Sequence, residues 1–175
     1  MVEKKIKNSV LRLEKGDVTD IEIDAFVYYA RSDLDIGSGY GTAILVRGGL
    51  EVKKDLETKG PVADGESVVS TAGMMKAKYI IHSVGPKFQE QNTEEKLRKT
   101  MKSALRAADE KGIERVAFPP MGSGFYGIPP DLCAQVMVST IKEHLGNNTK
   151  IKEVVIVPLH MRDFTPLKAQ FEALG

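Results

Sequence analysis

The chain has 175 residues, 42% hydrophobic and 28% charged, which is enough to bury a substantial core and ordinary for a soluble globular protein. With 25 Lys and Arg against 24 Asp and Glu the formal net charge is +1, so no global field draws it to nucleic acid or to acidic membranes. The single cysteine, Cys133, excludes an intrachain disulfide. No apolar run reaches the length of a membrane span and the N-terminus lacks a signal-peptide core, so the expectation is a cytoplasmic protein, one domain over residues 1–175.

In chain order, Val10 to Leu13 predicts a strand that ends at Lys15-Gly16-Asp17. Ala25 to Tyr29 is a denser β run. From Thr42 to Lys59 the apolar positions Ala43, Ile44, Val46, Leu50 and Leu56 predict a helix interrupted or bent near Gly48-Gly49. Glu66 to Thr71 and Lys78 to Val84 predict two strands split by a turn at Gly73. A long helix follows, with Thr93 as N-cap, Glu94 and Glu95 in the first turn and Lys111-Gly112 at the close. Arg115 to Phe118 reads as a short buried strand, and a helix spans Pro130 to Leu145. Glu153 to Val157 gives a last strand, and a terminal helix carries Leu167, Phe171 and Leu174.

Between the strand at Phe118 and the helix at Pro130 lies Pro119-Pro120-Met121-Gly122-Ser123-Gly124-Phe125-Tyr126-Gly127-Ile128-Pro129. A glycine-rich turn from a strand's end to a helix's start lets backbone N–H groups converge on an anion, because no β-carbons hold the ligand away. By itself the same stretch reads more readily as a tight turn. Alternating strands and helices imply an α/β fold with a largely parallel, helix-covered sheet. Ligands in such sheets sit at the carboxyl ends of the strands. Gly16-Asp17, Arg31 to Gly41 and Gly122 to Gly127 all follow strands, which points to a shared cleft.

Taken in order, these segments resemble the macro domain, an ADP-ribose-binding module with a three-layer α/β/α fold and a mixed, mostly parallel sheet. The resemblance is carried by Gly16-Asp17-Val18-Thr19, Asp24 to Val27, Gly37-Ser38-Gly39, Gly65 to Val69, Tyr79 to Pro86, and Phe118-Pro119 with Gly122 to Gly127. It covers nearly the whole chain. It implies that Asp17 accepts a hydrogen bond from the adenine amino group, with Val18 beside it. A carboxylate there would discriminate against guanine, whose carbonyl would set acceptor against acceptor. The resemblance further implies that Gly122, Ser123, Gly124, Phe125 and Tyr126 cradle the diphosphate. Gly37, Ser38, Gly39 and Tyr40 would line the other side next to the distal ribose, with Ala30 and Arg31 at the pocket.

The departures bear on chemistry. Hydrolytic members end the strand after the aspartate motif in asparagine-alanine-alanine-asparagine, where this chain has Tyr28-Tyr29-Ala30-Arg31. In one hydrolase class the next loop carries an aspartate and, four residues on, a histidine; those positions here hold Gly41 and Leu45. Arg31 cannot serve as base, since a guanidinium stays protonated and has no acceptor. Its donor fork suits a phosphate oxygen, and a solvated loop arginine is the plainer alternative. Asp33 and Asp35 are the replacement bases on offer, though loop aspartates are commonly turn residues. The three histidines and Cys133 lack metal-ligand spacing, and no cofactor or metal is expected.

The expectation is therefore a binder of ADP-ribose or a derivative, free or on an ADP-ribosylated protein, with weak or no hydrolase activity. One alternative is a hydrolase acting through Asp33 or Asp35. Another is a module holding poly-adenosine, which the near-neutral charge disfavours. No membrane partner is expected.

Overall fold

The computed structural model describes residues 1–37, 40–87 and 89–175, and the backbone alone of Tyr40. Among the described residues seven strands form one sheet: β1 (Val2–Ile6), β2 (Ser9–Leu13), β3 (Ala25–Ala30), β4 (Ser67–Thr71), β5 (Tyr79–Val84), β6 (Arg115–Phe118) and β7 (Glu153–Ile156). The helices are α1 (Tyr40–Gly48), α2 (Leu50–Glu57), α3 (Thr93–Lys111), α4 (Pro130–Leu145) and α5 (Met161–Ala173). Strand order across the sheet is β1-β2-β7-β6-β3-β5-β4. From β2 to β5 neighbouring strands are parallel, and the edge strands β1 and β4 are antiparallel to their neighbours.

Side-chain alternation along the strands builds the layers. Val27 and Tyr29 of β3, with Phe118 of β6 and Ile156 of β7, face the layer of α3, α4 and α5. Phe26 and Ala30, with Ile80 of β5 and Ala117 of β6, face α1 and α2. Each central strand is thus covered on both faces, which is why these strands read as nearly continuous apolar runs. The expected three-layer α/β/α architecture with a mixed, mostly parallel sheet is the one observed.

Two local expectations are corrected. β1 was not expected, because Val2, Lys4 and Ile6 alternate with charged neighbours and only half-bury one face. It pairs with β2 through a turn in which Lys7 takes φ 52, and its lysines suit an unpaired sheet edge. At α3 the cap position is Asn92, held at φ 57, while Thr93 is the first helical residue and its hydroxyl donates to the Glu90 carbonyl at 2.7 Å. Asparagine tolerates that left-handed conformation better than a β-branched threonine. Of the two readings near Gly48-Gly49 the interruption is the one observed, because Gly49 takes φ 84 between α1 and α2.

The sheet aims four strand ends at one edge. β2 leads to Gly16–Thr19, β7 to Val157–Asp163, β6 to the glycine-rich turn and β3 to Arg31. These exits are stitched together by the Gly16 amide on the Pro158 carbonyl at 2.9 Å and the Val157 amide on the Phe118 carbonyl at 2.8 Å. Tyr29 props the turn from below: its hydroxyl donates to the Pro86 carbonyl, and its ring lies 4.7 Å from that of Tyr126. Gly122 passes over it at φ 87, where a β-carbon would run into Ile128 and lie 3.1 Å from the Tyr29 hydroxyl. Tyr29→Phe removes this donor from a buried carbonyl and is expected to cost about 1–3 kcal/mol in urea unfolding. Gly122→Ala, strained by its φ as well as by contact, should cost more than about 1 kcal/mol in the same measurement.

Candidate functional site

A cavity of about 540 Å³ opens at this edge. Its floor is the end of β6 and the turn that follows. There a short 3-10 helix spans Gly124–Tyr126, closed by Gly127 at φ 77, whose amide returns to the Gly124 carbonyl at 3.0 Å. The first amides of such a turn have no carbonyl of the turn to bond, so they are offered to whatever lies in front. Gly122, Ser123, Gly124, Phe125 and Tyr126 all line the cavity. Beneath them the buried Cys133 of α4 donates its thiol hydrogen to the Met121 carbonyl at 3.2 Å. Burial, with a smaller contribution from Asp163, pushes that thiol up to about 12, so it is a packing group.

On one flank stand Val18 and Thr19 after β2, and Leu159, His160, Arg162 and Asp163 after β7. Asp17 caps the 3-10 turn Val18–Asp20: its Oδ1 accepts from the Thr19 amide at 2.9 Å and the Thr19 hydroxyl at 2.7 Å. Its Oδ2 lies 3.4 Å from the Arg47 guanidinium of α1, which also meets Asp20 at 3.3 Å. Asp17 itself stands just behind the cavity wall. Because a carboxylate oxygen can accept more than one hydrogen bond, Oδ2 retains capacity beside Arg47.

On the other flank are Tyr28, Tyr29 and Arg31. The Arg31 fork pairs with Asp33 at 2.8 Å and Asp35 at 3.7 Å. Both aspartates are exposed turn residues outside the cavity lining, Asp33 accepting from the Asp35 amide and Asp35 from the Gly37 amide. The Asp35 amide, with Arg31 adding to it, holds the Asp33 carboxyl below its ordinary range, which makes it a weaker base. A β-carbon at Gly41 would lie 2.8 Å from the Tyr28 hydroxyl and 2.8 Å from the Ile36 Cα. Tyr28 therefore occupies the space a side chain at 41 would need. Burial, then the neighbouring Tyr126 and Asp35, push the Tyr28 phenol up to about 12, against Arg31 and the Gly41 amide. At neutral pH it is a donor.

Of the residues expected from the sequence, Val18, Arg31 and the turn Gly122 to Tyr126 line one cavity. Ala30 is buried at the end of β3 and Gly37 is exposed in a bend, both away from the lining. Ser38 and Gly39 lie outside the described residues, as does the side chain of Tyr40. Arg162 and Asp163 were not singled out, because an acid in the first turn of a helix reads as a partner of the helix dipole. Their position just after the last strand of a parallel sheet was the available signal. Leu159 and His160, which follow β7, also line the cavity. Among the described residues no group of three or more His, Cys, Asp or Glu is arranged to hold a metal, and no helix is long and apolar enough to cross a membrane.

The family model described as Macro domain matches residues 29–137. A protein of Sulfurisphaera tokodaii is 38% identical over 151 residues, 84% of this chain and 82% of the relative. A macro domain-containing protein of Caldanaerobacter subterraneus is 34% identical over 170 residues, 94% of this chain and 97% of the relative. Among solved structures, the Oceanobacillus iheyensis macrodomain with ADP superposes with a TM-score of 0.89 at 24% identity, covering 99% of this chain and 95% of that one. The Trypanosoma brucei macrodomain in complex with ADP-ribose gives 0.85 at 22% identity, covering 94% of this chain and 69% of that one.

Behind Tyr28 lies His82 of β5, fully buried, its ring 5.8 Å from the tyrosine ring and its Nε2 2.8 Å from the Ser70 hydroxyl. Burial pushes the imidazole down to about 3 from its ordinary 6.5. Above pH 6.5 both folded and unfolded chains hold it neutral; below that only the unfolded chain takes the proton, so the folded state loses stability as pH falls toward 3. Urea unfolding should therefore weaken between about pH 6.5 and 5, before most carboxylates titrate, at up to about 1.4 kcal/mol per pH unit. A His82→Gln variant should be flat over that interval.

Proposed function

The chain belongs to the macro domain family, and we propose that its cleft binds ADP-ribose or a derivative, free or protein-linked, with weak or no hydrolase activity. The observation that carries the reading is the 3-10 turn at Gly124–Tyr126, set at the end of β6 as the floor of a cavity of about 540 Å³. Converging amides and the absence of β-carbons suit a diphosphate. Asp17, held by Thr19 and Arg47 and followed in the chain by the lining residues Val18 and Thr19, is the acceptor we assign to an adenine amine. Related macrodomains solved with ADP and with ADP-ribose support the ligand class.

At its Arg31 end the same cleft is poor in groups that would activate water. Arg31 has no acceptor, the Tyr28 phenol holds its proton, and Tyr28 fills the room beside Gly41. The hydrolase alternative has one observation in its favour: Arg31, a cavity residue, keeps Asp33 and Asp35 close to the mouth.

Calorimetry should show ADP-ribose binding with GDP-ribose bound far more weakly. Asp17→Ala should lower ADP-ribose affinity about tenfold or more, the worth of one hydrogen bond to a charged group, and leave ribose 5-phosphate binding unchanged. Equal losses for both ligands would remove Asp17 as the adenine reader. Incubation with a mono-ADP-ribosylated protein should release nothing. Release that disappears in Asp35→Ala would establish the hydrolase instead, and affinity for poly-adenosine that collapses with salt would favour a nucleic-acid module.

A further inference from the structure

We propose that Asp163, together with Arg162, reads the free diol of the ribose next to the base, so that the cleft selects nucleoside-diphosphate sugars unmodified there and rejects those carrying a phosphate on it. The proposal rests on the ADP-ribose reading above. Two independent observations lead to it.

The first is a carboxylate short of a partner. Asp163 lines the cavity with its side chain only 5% exposed; Oδ2 meets the Arg162 guanidinium at 3.0 Å and Oδ1 has no hydrogen-bond partner. Among the described residues the other buried side-chain atoms without one are His82 Nδ1 and Glu153 Oε1, and neither residue lines the cavity. A buried acceptor without a donor is costly and calls for an explanation. Carboxylate torsions are broad and twofold, so the group can reorient toward a donor placed in the cavity that Asp163 lines. Arg162, itself 54% exposed, extends over the glycine turn, with one guanidinium nitrogen 3.6 Å from where a Gly124 β-carbon would be.

The second is the order of the strands. Across the sheet run β2, β7, β6 and β3, carrying at their ends Asp17 to Thr19, then Leu159 to Asp163, then the glycine turn, then Arg31. A ligand with its base at the first position and its diphosphate at the third must lay the intervening ribose over the second. Asp163 and Arg162 stand there. A carboxylate only accepts and a guanidinium only donates, which matches a vicinal diol whose hydroxyls do both. A phosphate on that diol would bring up to about two negative charges against the carboxylate. A deoxyribose would withdraw the donor.

The test is calorimetry with ADP-ribose, its 2′-deoxyadenosine counterpart and its 2′-phosphate on the adenosine ribose. Wild type should prefer the unmodified ligand over each of the others by about tenfold or more. In Asp163→Asn, checked by thermal unfolding, both preferences should shrink, and the 2′-phosphate should gain affinity because Arg162 is freed to meet it. Arg162→Ala changes an exposed residue and keeps the carboxylate, so it should reject the 2′-phosphate more strongly than wild type does; it decides the matter if Asp163→Asn fails to fold. If ADP-ribose binds but its preference over the two modified ligands is absent, or is unchanged in the variants, the role of Asp163 is overturned and the ADP-ribose reading stands. If none of the three ligands binds folded wild type, both fall.

Discussion

Parallel pairing from β2 to β5 is the constraint on which the rest depends. Strands that run the same way must release their chains at the same edge, and the loops leaving β2, β7, β6 and β3 therefore meet whether or not their sequences are related. Burial on both faces holds this pairing, with the α3–α4–α5 layer on one side and α1 and α2 on the other. The antiparallel edge strands add width without disturbing the exits. Backbone hydrogen bonds between neighbouring exits, such as Gly16 to Pro158 and Val157 to Phe118, fix the spacing of the groups that a ligand meets.

Within that frame the cleft divides its labour. The floor is backbone, kept open by glycine at 122 and 124 and supported by Tyr29. The flanks are charged, and the charges are mutually held: Arg47 by Asp17 and Asp20, Arg31 by Asp33 and Asp35, Arg162 by Asp163. Each arginine is thus positioned before any ligand arrives. A pairing made in advance lowers the side-chain ordering that binding would otherwise require. It also keeps a chain of nearly neutral net charge from presenting a bare positive stripe.

Much of the fold was readable because its signals are local. Paired glycines at 48 and 49 announced the break between α1 and α2, and Pro129-Pro130 announced the start of α4. β1 escaped because a half-buried edge strand with alternating charges looks like solvated chain. The glycine turn was readable for the same local reason, and all five residues expected there line the cavity. Asp163 was not readable, since its meaning depends on an unmade hydrogen bond and on the strands beside it. Arg47 was hidden likewise: only the packing of α1 against the turn after β2 brings it to Asp17.

The contact between Tyr28 and Gly41 ties two distant positions into one choice. A carboxylate introduced at 41 finds a phenol and the Ile36 backbone already there, while a small residue at 28 alone leaves a void beside a glycine. Substitution at 41 is therefore opposed from two sides, by the phenol at 28 and by the Ile36 backbone, and changing 28 relieves only one of them. A cleft of this kind with a side chain at 41 would need both a smaller residue at 28 and a shifted backbone at 36. The residue tolerated at 41 depends on the side chain at 28 and on the course of the chain at 36 together, so the three positions behave as one epistatic unit.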